Sequence, residues 1–216
     1  MSLELYSFWR SSASYRVRIA LHLKSLPFAY HGVDLTKEGG EQWTPKYRAV
    51  NPQARVPTLV HNGLRIAQSL AIIEYLEEMF HQPALLPKDP EGRARVRALS
   101  QIIASDIQPM QNTSTTRYLK DKLKVDDSVV NAWVKEWITR GLDAFNALLE
   151  HDHQSGKFCH GDTPSMADCC LVPQMYAAER FGVNATQYPR LALIWENCNR
   201  MPAFAAAHPS NQIDAK

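Results

Sequence analysis

The chain has 216 residues and a formal net charge of +2, which permits one large domain or two modest ones with a well-buried core. Hydrophobic residues make up 45% and charged residues 21%, as in ordinary globular proteins, and no lysine- or arginine-rich block indicates a nucleic-acid partner. No apolar run approaches the roughly 20 residues that span a bilayer, and the N-terminus lacks a secretory signal pattern, so we expect a cytoplasmic protein without a membrane partner.

The first eighty residues alternate short apolar runs with helical patterns. The pattern predicts strands at 3–8, 28–33, 58–60 and 64–66, and helices at 15–24 and 68–79. Asn62-Gly63 is a strong hairpin signal between the last two strands. The order βαβ followed by ββα predicts a four-stranded mixed sheet whose first two strands are parallel.

A proline-rich break, "HQPALLPKDPEG", follows this segment and is typical of a linker. Beyond it the pattern predicts helices at 93–119, 127–149, 165–181 and 190–200. Pro109 is expected to kink the first of these helices. The sequence therefore predicts an α/β domain at 1–82 and an all-helical domain at 89–216.

Two local features sharpen this prediction. Ser165 and Asp168 have the spacing of a capping box at a helix start, which favours a structural role for Asp168 over a role as a general acid. Pro57 lies directly before a short strand, where a cis Val56–Pro57 bond would explain it.

The four cysteines form no C-x-x-C pair, and their spacing fits neither a zinc site nor a disulfide scaffold; they are Cys159, Cys169, Cys170 and Cys198. We expect buried or half-buried thiols in a reducing compartment and no bound metal.

The junction "FWRSSASYRVRIAL" places three serines between the first strand and the first helix: Ser11, Ser12 and Ser14. A helix start needs only one capping hydroxyl, so the presence of three serines indicates that one of them has a role other than capping. A serine hydrolase is excluded, because the chain has no G-x-S-x-G motif.

The chain resembles the cytosolic glutathione transferases over nearly its whole length. "VPTLV" at 56–60 resembles the cis-proline segment, "QSLAIIEYLEE" at 68–78 the helix that holds the γ-glutamyl carboxylate, and "GDTPSMADCCLVPQ" at 161–174 the capping-box helix. "SSASYRVRIAL" is similar to the zeta-class signature, and "NPQARVPTL", "IQPMQN" and "AERFGV" are also zeta-like. The resemblance implies a thioredoxin-like α/β N-terminal domain followed by an all-α domain, with glutathione as cofactor.

One position departs from the zeta-class signature, since Ala13 stands where the signature has cysteine. In that class the cysteine is linked more with side activities on haloacids than with isomerisation. The resemblance thus implies an isomerase of maleylacetoacetate or maleylpyruvate that is weak on haloacids.

The resemblance also implies residue roles. Ser11 is expected to donate to the glutathione sulfur while Ser12 or Ser14 caps the helix, and we place Ser11, Ser12 and Arg10 in the catalytic set. The expected glutathione-binding residues are Ser11, Ser12, Gln42, Val56, Pro57, Gln68, Ser69, Gln108, Asn112 and Ser114.

Arg10 and Arg180 are candidates for binding the carboxylates of a small diacid substrate, because a guanidinium recognises a carboxylate bidentately. Arg16 and Arg18 are expected to be structural or solvated, and Trp9 is assigned to neither core nor site. A two-fold homodimer is implied by the resemblance.

Two other function classes stay open. The first is a general glutathione transferase that conjugates electrophiles, and the second is a non-catalytic transferase-like module that binds a partner. A glutaredoxin-type enzyme is disfavoured, because no cysteine occurs in the first 158 residues.

Overall fold

A computed structural model describes residues 2–151 and 153–216. The described chain forms two compact units, one comprising Met1–Leu85 with Asn199–Lys216 and the other comprising Leu86–Cys198. No helix among the described residues is long and apolar enough to cross a membrane.

The first unit contains the predicted four-stranded mixed sheet. Its strands are β1 (Leu3–Ser7), β2 (Phe28–Gly32), β3 (Thr58–His61) and β4 (Leu64–Ala67), in the spatial order β2-β1-β3-β4. β1 runs parallel to β2 and antiparallel to β3, and β3 and β4 form the predicted hairpin. Leu5 of β1 lies opposite Tyr30 and Leu59, at the centre of the sheet.

Among the described residues, the α-helices of this unit are α1 (Ser12–Leu23), α2 (Pro45–Arg48), α3 (Ser69–Met79) and α10 (Pro202–Ala207). α1 packs against both α3 and α10. Its residues Ser14 to Leu21 are all buried, so α1 is the central helix of the unit. The Val56–Pro57 bond is cis, as predicted, and the Gln82–Pro83 bond is also cis.

The second unit is helical. Its α-helices are α4 (Pro90–Gln101), α5 (Gln108–Gln111), α6 (Thr113–Asp121), α7 (Asp127–His151), α8 (Met166–Arg180) and α9 (Pro189–Asn199). The prediction of one kinked helix at 93–119 was wrong. A π-helical turn at Ile102–Ile107 precedes Pro109, and the extended backbone of Asn112 (ψ 144°) separates α5 from α6.

The C-terminal segment differs from the predicted division at 89–216, because residues 199–216 pack with the first unit. Phe204 and Ala207 of α10 are fully buried, and Arg18 of α1 donates through Nε to the Ala207 carbonyl at 3.0 Å. The apolar face of α10 and this buried hydrogen bond attach the segment to α1.

The four cysteines are free and buried, which confirms the prediction of buried thiols.

The predicted capping box is also confirmed. The Asp168 carboxylate accepts the Ser165 backbone N–H at 2.8 Å and its hydroxyl at 2.7 Å, and it accepts the Cys159 N–H at 2.8 Å. Burial raises the pKa of Asp168, and its hydrogen bonds to Cys159 and Ser165 oppose that rise. Asp168 is therefore a structural carboxylate.

Candidate active site

Ser11 is the N-cap of α1, and the prediction that Ser12 or Ser14 caps this helix was wrong. The Ser11 backbone is extended (φ −69°, ψ 119°), and its hydroxyl oxygen accepts the Ser14 N–H at 3.3 Å. The chain leaves β1 through a turn closed by the Ser11 N–H on the Phe8 carbonyl at 3.0 Å. This turn places Ser11, not a later serine, at the position where a hydroxyl meets the free N–H groups of the helix.

The cap leaves the Ser11 hydroxyl with a proton to donate. A serine hydroxyl offers one donor and two acceptor sites, so accepting the Ser14 N–H occupies only one of them. Ser12, the first residue of α1, is half-buried, and its hydroxyl makes no hydrogen bond within residues 2–151 and 153–216. Ser14 is buried, and its hydroxyl has no partner in the same part of the chain. Since the Ser14 hydroxyl is buried, the half-buried hydroxyls of Ser11 and Ser12 are the donors at the helix start that a ligand can reach.

Arg18 holds the backbone of the turn that leads to Ser11. Its Nη2 donates to the Trp9 carbonyl at 2.9 Å, and its Nη1 donates to the Ser7 hydroxyl at 3.2 Å. Burial lowers the pKa of Arg18 to about 10. Arg10 is exposed, with its guanidinium 5.4 Å from the centre of the Trp9 ring. Arg18 is therefore structural, as expected, while Arg10 extends from the turn towards solvent.

The Val56–Pro57 segment presents an unpaired backbone edge. Among the described residues, the N–H and C=O groups of Val56 make no hydrogen bond. The Val56 side chain packs in a small apolar cluster with Phe8, Val33 and Tyr47. An anchored side chain beside free backbone groups is an arrangement that can pair with an extended peptide.

Buried polar groups support this edge from within the unit. The Asn51 Nδ2 donates to the Arg55 carbonyl at 2.8 Å and to the Thr58 Oγ1 at 3.1 Å. Tyr47 donates to the same Arg55 carbonyl. These bonds fix the residues on either side of Val56 and Pro57.

The N-terminus of α3 carries Gln68 and Ser69. Gln68 is exposed, has a positive φ of 71°, and donates through Nε2 to the Gln53 Oε1 at 2.9 Å. The Ser69 hydroxyl accepts from the Arg16 Nη1 at 3.2 Å, and the Arg16 side chain is buried. A buried guanidinium and a helix N-terminus together favour an anionic group at this position.

Gln42 lies in a short 3₁₀ turn, Glu41–Trp43, and its side chain is buried. Its Oε1 has no hydrogen-bond partner in the described part of the chain. Gly40 has a φ of 114°, and a Cβ at that position would lie 2.4 Å from the Gln42 amide. Glycine is therefore needed there for Gln42 to pack as it does.

The other predicted site residues belong to the second unit. Asn112 caps α6 and accepts both the Ser114 N–H at 2.9 Å and the Ser114 hydroxyl at 2.8 Å, so the structure brings these two together. Gln108 begins α5 and is half-buried. Arg180 ends α8, is exposed, and lies 6.0 Å from the centre of the Phe181 ring.

Sequence reasoning missed several residues that support the site: Tyr47, Asn51, Gln53 and Asp214. Arg16 was expected to be structural or solvated, and the structure shows it buried and bonded to Ser69. Asn51 precedes a proline and is thereby marked as a turn residue. Nothing in the local sequence marks Tyr47, Gln53 or Asp214.

Comparison with known proteins identifies the family. Residues 1–78 match the model of the glutathione S-transferase N-terminal domain. A maleylpyruvate isomerase from Ralstonia sp is 45% identical over 213 residues, which cover 99% of this chain and 100% of that protein.

Two solved structures are similar over the full length. The holo structure of maleylpyruvate isomerase, a bacterial glutathione S-transferase of the zeta class, has a TM-score of 0.95 and 45% identity, covering 99% of this chain and 100% of that chain. Maleylacetoacetate isomerase from Anaeromyxobacter dehalogenans 2CP-1, with bound GSH in its active site, has a TM-score of 0.88 and 44% identity, covering 100% of this chain and 98% of that chain. The chain therefore belongs to the zeta class of the glutathione S-transferases, the family of the maleylpyruvate and maleylacetoacetate isomerases.

Proposed function

We propose that this chain is a glutathione-dependent cis–trans isomerase that converts a maleyl keto-diacid into its fumaryl isomer. The observation that carries the proposal is the pair of half-buried hydroxyls, Ser11 and Ser12, at the N-terminus of α1. Two donors at the positive end of a helix suit a bound thiolate.

Glutathione is bound mainly through its backbone in this proposal. The N–H and C=O of Val56, which make no hydrogen bond among the described residues, lie beside cis Pro57 and pair with the cysteinyl residue as an added strand. Gln68 and Ser69 bind the γ-glutamyl end at the N-terminus of α3. Gln42 binds the glycine end, whose peptide N–H is a donor that the Gln42 Oε1 can accept.

The site lowers the pKa of the bound thiol. A free thiol has a pKa of about 8.5, so only a few per cent is thiolate near neutral pH. Lowering that pKa by about two units requires roughly 3 kcal/mol, at about 1.4 kcal/mol per unit. One charge-assisted hydrogen bond from a serine and the dipole of α1 together supply a stabilisation of this size. Ser11 or Ser12 acts as an electrostatic donor and need not be a base.

The thiolate adds to the cis double bond of the substrate and places the electron pair on the conjugated carbonyl as an enolate. The former double bond is now single and rotates. Collapse of the enolate re-forms the double bond in the trans geometry and expels the thiolate, so glutathione is regenerated. Arg10 and Arg180 bind the substrate carboxylates and stabilise the enolate charge.

Three further residues complete the proposed glutathione-binding set, namely Gln108, Asn112 and Ser114.

The enzyme is proposed to be a two-fold homodimer. Light scattering tests this, because the dimer has twice the 24.5 kDa mass of one chain. Four free buried thiols suit the reducing cytoplasm.

The experiment that tests the proposal follows the loss of maleylacetoacetate and of maleylpyruvate by the purified protein, with and without glutathione. We expect at least one of the two substrates to be lost only when glutathione is present. The fumaryl isomer should form, and the thiol should not be consumed. Stoichiometric consumption of glutathione would instead identify a conjugating transferase. If the protein binds glutathione but turns over neither substrate nor a general electrophile, the result would favour a non-catalytic binding module.

A further inference from the structure

We infer that Asp214 is a positioning residue for catalysis, which holds the turn that carries Arg10 and Ser11. The inference rests on the proposed function of those two residues. Asp214 lies 205 residues from Trp9 in sequence, yet its carboxylate contacts the backbone of the turn.

The Asp214 carboxylate uses both oxygens. Its Oδ2 accepts the Trp9 backbone N–H at 3.1 Å, and its Oδ1 accepts the Tyr30 hydroxyl at 2.7 Å. The Tyr30 bond orients the carboxylate from β2, so that the other oxygen faces the turn. The side chain is half-buried, which makes these hydrogen bonds less subject to competition by water than exposed ones.

The bond to Trp9 controls where the next two residues lie. The turn from Phe8 to Ser11 is closed by the Ser11 N–H on the Phe8 carbonyl, with Trp9 and Arg10 at its centre. Arg18 binds the Trp9 carbonyl at 2.9 Å, while Asp214 binds the Trp9 N–H. Both polar backbone groups of Trp9 are thus fixed, and rotation of the peptide groups that set the direction of Arg10 and Ser11 is restrained.

The segment around Asp214 is itself held on both sides. Before it, the Gln212 Nε2 donates to the Ala206 and His208 carbonyls at 3.0 and 2.9 Å. After it, the Lys216 Nζ lies 2.6 Å from the Asp34 Oδ2. A Cβ at Gly32 would lie 3.4 Å from the Asp214 Cβ, so the segment packs closely on β2 at that point. Asp214 therefore approaches the turn from a defined position.

The charge of Asp214 is balanced locally. The buried guanidinium of Arg18 interacts favourably with the carboxylate, and the Tyr30 hydroxyl donates to it. A carboxylate near a thiolate would otherwise disfavour the anion. Because Arg18 and Tyr30 balance its charge, Asp214 can accept the Trp9 N–H without destabilising the thiolate.

The test compares Asp214→Ala with Asp214→Asn in the full chain. The alanine variant releases the Trp9 N–H, and misplacement of catalytic groups by about 1 Å can cost about 10²-fold in rate. We expect kcat to fall by about tenfold to a hundredfold and the thiol pKa of bound glutathione to rise, with little change in glutathione affinity. Asparagine retains an acceptor for the Trp9 N–H and should recover most of the lost kcat.

Asp162→Ala is the matched control, because Asp162 also accepts a backbone N–H, that of Lys157 at 2.9 Å, from a loop outside the proposed machinery. It should leave kcat unchanged. The inference is overturned if Asp214→Ala isomerises like the wild type, if it changes only the melting temperature, or if the asparagine variant loses as much kcat as the alanine variant. Absence of isomerase activity in the wild-type chain would instead count against the proposed function.

Discussion

The Tyr47 hydroxyl donates a hydrogen bond of 2.6 Å to the carbonyl oxygen of Arg55, the residue before Val56. Since Tyr47 uses its proton there, the 3.1 Å contact between its oxygen and the Thr58 Oγ1 has Thr58 as the donor. Thr58 in turn accepts from Asn51. One buried network thus braces the chain on both sides of the backbone edge that we assign to glutathione.

Tyr47→Phe should weaken glutathione binding. The substitution removes the donor to Arg55 and leaves Thr58 without its acceptor, which costs about 1–3 kcal/mol when the groups are buried. We expect the Kd for glutathione to rise by about tenfold and the free energy of unfolding to fall by about 1 kcal/mol. Calorimetric titration and denaturant unfolding measure the two quantities.

Tyr118→Phe is the matched control for that experiment. Tyr118 is exposed on α6, and its hydroxyl makes no hydrogen bond in the described part of the chain. Both measurements should match the wild type. A Tyr47→Phe variant with unchanged affinity would show that the network does not position Val56.

Ala13→Cys should increase activity on haloacids. Ala13 is the second residue of α1, is half-buried, and directly follows the Ser11–Ser12 pair. If the signature cysteine serves haloacid chemistry, the natural chain dechlorinates dichloroacetate poorly and the variant does so faster, while isomerase kcat changes little. Chloride release measures the first activity. Brisk dechlorination by the natural chain would contradict this assignment.

The apolar periodicity was sufficient to predict a four-stranded mixed sheet with a parallel first pair of strands, and most of the helices, because burial of Leu5, Val17 and Ile73 sets those elements locally. It could not decide which serine caps α1, since three adjacent hydroxyls are chemically equivalent until the turn after β1 is known. The contact between Asp214 and Trp9 spans 205 residues, and no short-range pattern marks it. Local elements were therefore predictable, while the supports of the site depended on long-range packing.

His208 should make the protein less stable in acid. The Ser210 N–H donates to the His208 Nδ1 at 3.3 Å, an arrangement that requires the neutral ring. Burial, and then the charge of Arg18, lower the pKa of His208 below its ordinary value of 6.5. The unfolded chain therefore takes up a proton first as pH falls. The stability that neutral His208 contributes is full above about pH 6.5 and is lost as pH falls through the lower folded-state pKa.

His208→Asn checks this, because the asparagine oxygen can accept the Ser210 N–H without titrating. The decrease in melting temperature between about pH 7 and about pH 5 should be smaller in the variant than in the wild type. The decrease in melting temperature should not vanish in the variant. Burial and Arg18 also lower the pKa of His22, so His22 still makes stability depend on pH. His81→Asn, at an exposed position, serves as the control. Equal decreases in the wild type and in His208→Asn would contradict the prediction.

Ser11→Gly and Ser12→Ala should separate the two hydroxyls at the start of α1. Glycine is nearly as good an N-cap as serine and costs only a few tenths of a kcal/mol, so Ser11→Gly removes the hydroxyl while keeping the helix start. We expect its isomerase kcat to fall by about 10²–10³, the loss typical of one donor aimed at developing charge. The thiol pKa of bound glutathione should rise, as followed by the ultraviolet absorbance of the thiolate.

Ser12→Ala leaves the cap of α1 intact, because Ser11 and not Ser12 accepts the Ser14 N–H. It should therefore keep both the fold and most of the rate. Ser11→Ala, by contrast, should lose the rate and also about 1 kcal/mol of stability, because it removes the cap together with the donor. A large loss of rate in Ser12→Ala with a normal rate in Ser11→Gly would show that the Ser12 hydroxyl donates to the sulfur, and Ser11 would then be a helix cap alone.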